Sequence, residues 1–189
     1  ITQNNDTDTC NAIVTWVEPT ATDNCTSEGN LVWTKSHTPG AVFPVGTTLV
    51  SYTAEDESGN VSATCSFNVV VEDTQLPIVV GCPTDIIKPT DAGSCNATVS
   101  WTEPSVNDNC TSSGDIVWTK SHTPGTVFAP GTTTVTYIAT DEAGNNSITC
   151  SFDVTVEDSQ KPVLNNCPAN IIQDTNTGQC TAVVTWAEP

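Results

Sequence analysis

The sequence predicts an all-β protein built from tandem antiparallel β-sandwich domains, and three observations support this prediction. The chain repeats itself with a period of 85 residues. Within each repeat, short runs of alternating polar and apolar residues indicate half-buried strands, and turn-forming residues separate them. Nine cysteines in 189 residues indicate disulfides, which stabilise domains too small to bury a large core.

The repetition is clearest in the cysteines and in one long motif. Four series of cysteines recur at intervals of 85 residues: Cys10, Cys95 and Cys180; Cys25 and Cys110; Cys65 and Cys150; Cys82 and Cys167. The segment LVWTKSHTPG at 31–40 returns as IVWTKSHTPG at 116–125. A repeat of this length is the size of a small independent domain rather than a turn of a solenoid.

The period divides the chain into three parts. We expect a first repeat over 1–73 that lacks its first strand, a complete repeat over 74–158, and the first strands of a third repeat over 159–189. Because Ile1 aligns with Ile86 and Pro189 with Pro104, we expect these residues to be a window on a longer repetitive protein. One explanation is that the two ends of the sequence were set without regard to the repeat. The other is that the C-terminal strands complete a neighbouring molecule by strand addition.

The second repeat shows the expected strands most clearly. Polar and apolar residues alternate over 150–156, and Ala97, Val99 and Trp101 share one face of a strand. The strands expected in this repeat are A near 77–88, B at 95–103, C at 115–121, a short piece at 126–129, F at 132–140 and G at 147–157. Short strands separated by turns at this spacing are typical of an immunoglobulin-type sandwich.

The cysteines are expected to form disulfides in an oxidising compartment. Neither a CxxC motif nor histidines at ligand spacing indicate a zinc site. The B–C loop and the start of strand G lie at the same end of such a sandwich, which favours two pairs: Cys110 with Cys150, and Cys25 with Cys65. The remaining cysteines would then pair as Cys82 with Cys95 and as Cys167 with Cys180. An alternative links neighbouring domains by pairing Cys95 with Cys167 and Cys10 with Cys82.

The charge balance excludes several classes of partner. The chain has 22 acidic residues and only 4 Lys plus Arg, for a net charge of −18. It therefore has no basic surface to neutralise nucleic-acid phosphates or to dock on anionic lipid. No apolar run is long enough to span a bilayer. An acidic surface of this kind suits divalent cations or a solvated extracellular surface.

Acidic residues and amides cluster at strand ends that should meet between the two repeats. Glu72 and Asp73 close strand G of the first repeat, Asp108 and Asn109 lie in the B–C loop of the second, and Asp141 begins its F–G loop. In an immunoglobulin-type sandwich these two loops face the preceding domain. Calcium takes 6–8 oxygen ligands from carboxylates, amides and carbonyls. The sequence therefore predicts a Ca²⁺ site at the junction, with turn formation by Asp and Asn as the competing explanation.

The motifs GCPTDII (81–87), SWTEP (100–104), DNC (108–110) and TCSFDVTVED (149–158), in this order, resemble the hyalin repeat (HYR) family. The similarity covers both repeats and the partial third one. It implies an immunoglobulin-like fold, an extracellular or cell-surface location, and a role in adhesion or scaffolding without catalytic residues. The namesake of the family is a calcium-associated matrix protein, so the resemblance also supports the predicted cation.

No enzymatic site is expected. His37 and His122 each follow a serine, but neighbouring side chains on a strand point to opposite faces, which argues against a nucleophile–base pair. Trp16, Trp101 and Trp186 lie on the alternating face of strand B and are expected in the core. Trp33 and Trp118, if exposed, would stack on sugar rings, so a carbohydrate-binding module is one alternative function. A non-catalytic spacer in a larger surface enzyme is another.

We therefore expect an extracellular structural or adhesive repeat protein that forms part of a rod, surface fibre or filament. Its expected partners are copies of itself or neighbouring repeats, with surface glycans as a second class. Six N-x-S/T sequons mark candidate glycosylation sites: Asn5, Asn24, Asn60, Asn96, Asn109 and Asn145.

Overall fold

The computed structural model describes residues 1–188 and confirms the all-β class. The described chain forms two β-sandwich units in tandem. The single non-strand element within residues 1–188 is a 3-10 turn at Glu28–Asn30. We call residues 1–73 unit 1 and residues 74–158 unit 2.

Unit 2 has two layers of strands. Its strands are β7 (Ile78–Val80), β8 (Ile86–Pro89), β9 (Ala97–Val99), β10 (Ser105–Asn107), β11 (Val117–Lys120), β12 (Thr126–Phe128), β13 (Gly131–Thr140) and β14 (Cys150–Glu157). One layer is a four-stranded sheet in the order β11-β13-β14-β8, in which β8 runs parallel to β14. The other layer consists of the antiparallel pairs β12-β9 and β10-β7.

Unit 1 repeats most of this arrangement. Its strands are β1 (Thr2–Asn4), β2 (Asn11–Val14), β3 (Val32–Lys35), β4 (Ala41–Pro44), β5 (Gly46–Glu55) and β6 (Cys65–Glu72). The four-stranded sheet has the order β1-β6-β5-β3, and β2 pairs with β4. The strand β1 is the counterpart of β8 and pairs with β6 in the same parallel manner. Within the described residues, unit 1 has no counterpart of the β7–β10 pair.

The alternation in the sequence produces the core between the layers. Val135 and Tyr137 of β13 and Val154 of β14 are fully buried and face Val99 of β9. Their neighbours along the strands face solvent, as expected for strands with one buried side. Trp101 packs against this core and donates a hydrogen bond from Nε1 to the Tyr137 hydroxyl at 2.7 Å. The equivalent bond in unit 1 joins Trp16 and Tyr52 at 2.7 Å.

Two expected strands differ from those observed. Strand A was predicted to be continuous near 77–88, but it divides into β7, which pairs with β10, and β8, which pairs with β14. Gly81, with φ 77°, and Pro83 lie between them and interrupt the strand. Strand B was predicted over 95–103, but it ends at Val99, and the chain resumes strand structure only at Ser105.

The predicted first strands of a third repeat do not form within residues 159–188, the part of that segment that the structure describes. In unit 2, β8 needs β14 and β9 needs β12 as hydrogen-bonding partners. The described chain contains no further strands of these kinds, so the segment forms no strand and is mostly exposed. The prediction that Trp186 lies in the core is therefore wrong, since it is 63% exposed. It does keep one turn, in which the Gln179 amide donates to the Asn176 carbonyl at 2.9 Å.

Candidate metal site and disulfides at the junction between the units

A disulfide joins the two units. It links Cys10, in the loop between β1 and β2, with Cys110, in the loop after β10. The two Cα atoms lie 4.8 Å apart although the residues are 100 positions apart in sequence. This bond was not among the expected pairs.

A second disulfide lies within unit 2 and joins Cys82 with Cys150, the first residue of β14. Their Cα atoms lie 5.7 Å apart. The division of strand A explains this pair, because β8 runs beside β14 and brings Cys82 to the start of that strand. Cys110 instead faces unit 1.

The predicted disulfide pairing is therefore wrong. The predicted pairs Cys110–Cys150 and Cys82–Cys95, and the alternative pair Cys10–Cys82, are excluded by the two observed bonds. Nor does the structure form the remaining predicted pairs, Cys25–Cys65 and Cys167–Cys180, or the alternative Cys95–Cys167. Five cysteines are exposed thiols within residues 1–188: Cys25, Cys65, Cys95, Cys167 and Cys180.

Asp108 organises the loop that carries Cys110. Its Oδ2 accepts hydrogen bonds from the amides of Cys110, at 2.9 Å, and Thr111, at 2.8 Å. Asp23 does the same in unit 1 for Cys25 and Thr26, at 3.0 and 2.7 Å. These amide donors, Thr26 first, hold the pKa of Asp23 below its usual value.

Asp141 is held in the loop between β13 and β14 by one asparagine. Its Oδ1 accepts from the Asn145 amide at 2.7 Å, and its Oδ2 accepts from Asn145 Nδ2 at 2.8 Å. The same Nδ2 atom donates to the carbonyl of Asp73 in unit 1 at 3.1 Å. Asn145 therefore ties a loop of unit 2 to the end of unit 1.

Asp73 follows β6 and is 8% exposed. Its Oδ1 accepts from the Gln75 amide at 3.2 Å. The neighbouring backbone is fixed by Asn5, whose Oδ1 accepts from the Thr74 amide at 3.2 Å and whose Nδ2 donates to the Thr9 carbonyl at 2.9 Å. The position of Asp73 is thus set by both the linker and the β1–β2 loop.

The structure brings together three carboxylates, those of Asp73, Asp108 and Asp141, with ligand oxygens all within 4.8 Å of one another. Asp73 Oδ2 and Asp108 Oδ1 are buried and have no hydrogen-bond partner. A buried oxygen without a donor is costly, and three like charges at this distance repel one another. A divalent cation would satisfy both oxygens and neutralise the repulsion. Hard carboxylate oxygens are the ligands that Ca²⁺ prefers.

Two of the five residues expected at the metal site lie outside this carboxylate group. Glu72 is exposed and contributes its backbone carbonyl to the Asn5 amide at 2.9 Å. Asn109 uses its Nδ2 atom to donate across the junction to the Thr9 carbonyl at 2.9 Å. Sequence reasoning did not anticipate the part played by Asn145, although its spacing of four residues from Asp141 on a turn was a usable signal.

The serine–histidine motif shows a contact that the sequence argument excluded. Ser36 Oγ lies 3.0 Å from His37 Nδ1, and the counterpart pair in unit 2 lies at 3.1 Å. The side chains meet because the strand ends at Lys35 and the chain bends there. Ser36 Oγ also accepts from the Ser51 amide at 2.9 Å, and His37 packs against Phe43 with ring centroids 5.1 Å apart. The contact between Ser36 and His37 therefore stabilises the turn that follows β3.

The tryptophans that would have indicated sugar binding are partly buried. Trp33 packs edge-on against Tyr52 with ring centroids 6.2 Å apart, and Trp118 packs against Tyr137 at 5.9 Å. Beside Trp118, Lys120 forms an ion pair with Glu103 at 2.8 Å. Both indole rings are therefore half-buried against a core tyrosine.

The six sequon asparagines differ in accessibility. Asn24, Asn60 and Asn96 are exposed. Asn5 is 9% exposed, which leaves no room for a glycan on its amide nitrogen in this fold. The amide nitrogens of Asn109 and Asn145 donate hydrogen bonds across the junction. Glycosylation of Asn109 or Asn145 would therefore compete with the contacts between the units.

A protein-family model described as "HYR domain" matches residues 1–71 and residues 72–156. The chain belongs to the HYR family. The resemblance seen in the motifs is thereby confirmed, and with it the immunoglobulin-like fold of tandem HYR units. HYR domains are a non-catalytic family.

Relatives share the repeat over most of this chain. It is 40% identical to hyalin of Strongylocentrotus purpuratus over 185 residues, which is 96% of this chain and 15% of that protein. It is 38% identical to hyalin of Lytechinus variegatus, covering 93% of this chain and 33% of that protein. It is also 38% identical to mouse sushi, von Willebrand factor type A, EGF and pentraxin domain-containing protein 1, covering 78% of this chain and 4% of that protein. The HYR chain thus spans a minor part of each relative.

Among solved structures, the first two domains of human protocadherin-24 align with 84% of the HYR chain and 95% of their own, at 13% identity and a TM-score of 0.34. Within the described residues, no helix has the length and apolar character required to cross a membrane.

Proposed function

We propose that this HYR chain is an extracellular structural or adhesive repeat that forms part of a rod, surface fibre or filament. The observation that carries the proposal is the junction itself. One disulfide, a carboxylate cluster and hydrogen bonds from Asn109 and Asn145 all connect unit 1 with unit 2. A connection with this many constraints limits bending between units, which is what a load-bearing array needs.

The chemistry of the chain supports an extracellular location. Its disulfides require an oxidising compartment. The net charge of −18 keeps such a surface solvated and leaves divalent cations as the favoured ionic partners. The partners of the array are then neighbouring HYR units and whatever surface the array attaches to. Immunogold labelling of intact source cells tests the location, since labelling that requires permeabilisation contradicts it.

The cation completes the proposed mechanism. Asp73 comes from unit 1, whereas Asp108 and Asp141 come from unit 2, so a Ca²⁺ ion bound by all three can form its full set of bonds only when the units keep this relative position. Because binding favours that arrangement over others, the ion stiffens the junction. We therefore propose one Ca²⁺ at this junction, held by the three aspartates.

Calcium titration of the 189-residue chain by calorimetry tests the site. We expect one Ca²⁺ per chain at this junction, and at least a tenfold loss of affinity in Asp141→Asn. The matched control is Asp56→Asn, which changes the counterpart in unit 1, where no carboxylate of a preceding unit is present; it should leave the affinity unchanged. Equal losses in both variants, or no binding to the intact chain at millimolar Ca²⁺, would contradict the site.

Small-angle X-ray scattering tests the rod. With Ca²⁺ bound, the profile should fit one elongated arrangement of the two units. A chelator combined with Cys10→Ser and Cys110→Ser should broaden the distribution of end-to-end distances. If the profile of the unmodified chain with Ca²⁺ bound already requires a broad distribution of arrangements, the units do not form a rod, even if calcium binds.

A further inference from the structure

The exposed thiol of Cys95 occupies the same place in unit 2 that the bonded Cys10 occupies in unit 1. In unit 1, the Asp6 amide donates to the Asn11 carbonyl at 2.7 Å, and the Thr9 amide donates to the Asp6 carbonyl at 3.2 Å. The corresponding bonds around Cys95 have lengths of 2.8 and 2.9 Å. The loop that presents Cys10 to the next unit is therefore formed again at the far end of unit 2.

Cys25 occupies in unit 1 the position that Cys110 occupies in unit 2. Each cysteine lies two residues after an aspartate that accepts its backbone amide hydrogen, at 3.0 Å for Asp23 and 2.9 Å for Asp108. Cys110 is bonded across the junction, whereas Cys25 is an exposed thiol at the opposite end of unit 1. The chain thus contains one disulfide between units and two exposed thiols, Cys25 and Cys95, that occupy the positions of its two members.

The groups around these thiols repeat as well. Beyond β14, the Gln160 amide donates to Asp158 Oδ1 at 3.0 Å, as the Gln75 amide does to Asp73 Oδ1 at 3.2 Å. Gln160 also donates from its side chain to the Asp91 carbonyl at 3.2 Å, which fixes this linker against the loop of Cys95. The end of unit 2 therefore reproduces the cysteine loop and the aspartate–glutamine turn that unit 1 presents at the observed junction, with Thr90 in the place of Asn5.

We propose that Cys25 and Cys95 are the two halves of a repeating inter-unit disulfide of the Cys10–Cys110 kind. Cys95 bonds to the cysteine in the Asp-x-Cys loop of a following HYR unit, and Cys25 bonds to the β1–β2 loop cysteine of a preceding unit. The partner in both cases is another HYR unit. Each link joins cysteines 100 positions apart, the interval of the observed bond. Successive units are then held together twice, by the peptide chain and by a disulfide.

Bond formation follows ordinary thiol–disulfide exchange. The two thiols lose two protons and two electrons, and a small-molecule disulfide such as oxidised glutathione accepts them and is released as two thiols. The exposure of Cys25 and Cys95 gives such an oxidant access to both. The exchange does not involve the carboxylate cluster, so the link does not depend on a bound cation.

The test extends the chain into a third unit. Because Pro189 aligns with Pro104, a second copy of residues 105–158 is added after Pro189, and the protein is folded in a glutathione redox buffer containing a chelator. Peptide mapping by mass spectrometry should find Cys95 bonded to the added copy of Cys110. It should also find Cys167 bonded to the added copy of Cys150, by analogy with the bond between Cys82 and Cys150.

Variants make the result decisive. Cys95→Ser should add one free thiol, on the copy of Cys110, and Cys180→Ser, the matched control, should leave that link intact. The Cys10–Cys110 bond in the same molecule reports that units 1 and 2 have docked, and the bond between Cys167 and the copy of Cys150 reports that the third unit has folded. With both bonds present, a free Cys95 thiol overturns the proposal. A bond between the copies of Cys110 and Cys150 overturns it as well. Because calcium is absent, neither result bears on the metal site.

Discussion

Asn145 Nδ2 of unit 2 donates a hydrogen bond to the Asp73 carbonyl of unit 1 at 3.1 Å. The same atom lies 2.8 Å from Asp141 Oδ2. The Asn145 side chain therefore contacts the backbone of Asp73 and orients the carboxylate of Asp141. Both aspartates belong to the carboxylate cluster. This arrangement couples the position of unit 1 to the geometry of the candidate metal site.

The first prediction concerns this amide. Asn145→Ala removes the hydrogen bonds to both units, so we expect calcium affinity to fall several-fold and the unfolding free energy of unit 2 to fall by about 1 kcal/mol. Calorimetry and chemical denaturation measure the two effects. The matched control is Asn60→Ala, since Asn60 bonds only to Asp56 of its own loop. An equal effect of Asn60→Ala on calcium affinity would rule out the proposed coupling.

The second prediction separates the roles of the two disulfides. The bond between Cys82 and Cys150 closes 68 residues within unit 2. Replacing both cysteines by serine should lower the unfolding free energy of unit 2 by about 4 kcal/mol, because the unfolded chain regains the entropy of the open loop. Replacing Cys10 and Cys110 should loosen the junction and change the stability of each unit much less. Denaturation followed by tryptophan fluorescence, with unit 1 as the internal reference, distinguishes the two outcomes.

The third prediction concerns the bonds between tryptophan and tyrosine in the two cores. Trp101→Phe leaves the buried Tyr137 hydroxyl without its donor, and Trp16→Phe does the same to Tyr52 in unit 1. We expect each change to cost its own unit about 1–3 kcal/mol. The two variants are matched controls for each other in thermal unfolding. If either change shifted both transitions equally, the units would not have separate cores.

The fourth prediction is a titration at high pH. Burial, more than the nearby Glu103 carboxylate, raises the pKa of the Tyr137 phenol above its usual value near 10.0, although the hydrogen bond from Trp101 acts in the opposite direction. The charged form is thus disfavoured in the folded state. The resulting stability is fully present below pH 10 and is lost as the pH rises through the folded-state pKa.

Phenolate absorbance measures this pKa directly. The chain has two tyrosines, so Tyr52→Phe leaves Tyr137 as the only reporter. The onset of phenolate absorbance should lie above that of a free tyrosine and should coincide with loss of unit 2 structure. Titration at the free-tyrosine value in a folded protein would show that the hydroxyl is accessible to solvent.

The sequence predicted the local features well because they depend on neighbouring residues. The alternation over 150–156 appears as β14, and the turns around Gly125 and Gly144 fall where expected. It also predicted that Asp73, Asp108 and Asp141 would meet, since the loop positions follow from the fold class. The sequence did not predict the correct disulfide pairs, because strand A changes sheets. The break at Gly81 moves Cys82 beside β14, and the alternation on either side of the break gives no sign of it.

The amino-acid order by itself determined the 85-residue period, most of the strands and the oxidised character of this HYR chain, because each of these follows from repeated patterns of residue type along the chain. Only the tertiary structure decided which cysteines bond and which carboxylate oxygens are left buried without donors. Those outcomes depend on distances between residues 68 or more positions apart, such as Cys82 and Cys150. Such distances are fixed by how two sheets and two units pack, and no local pattern records them.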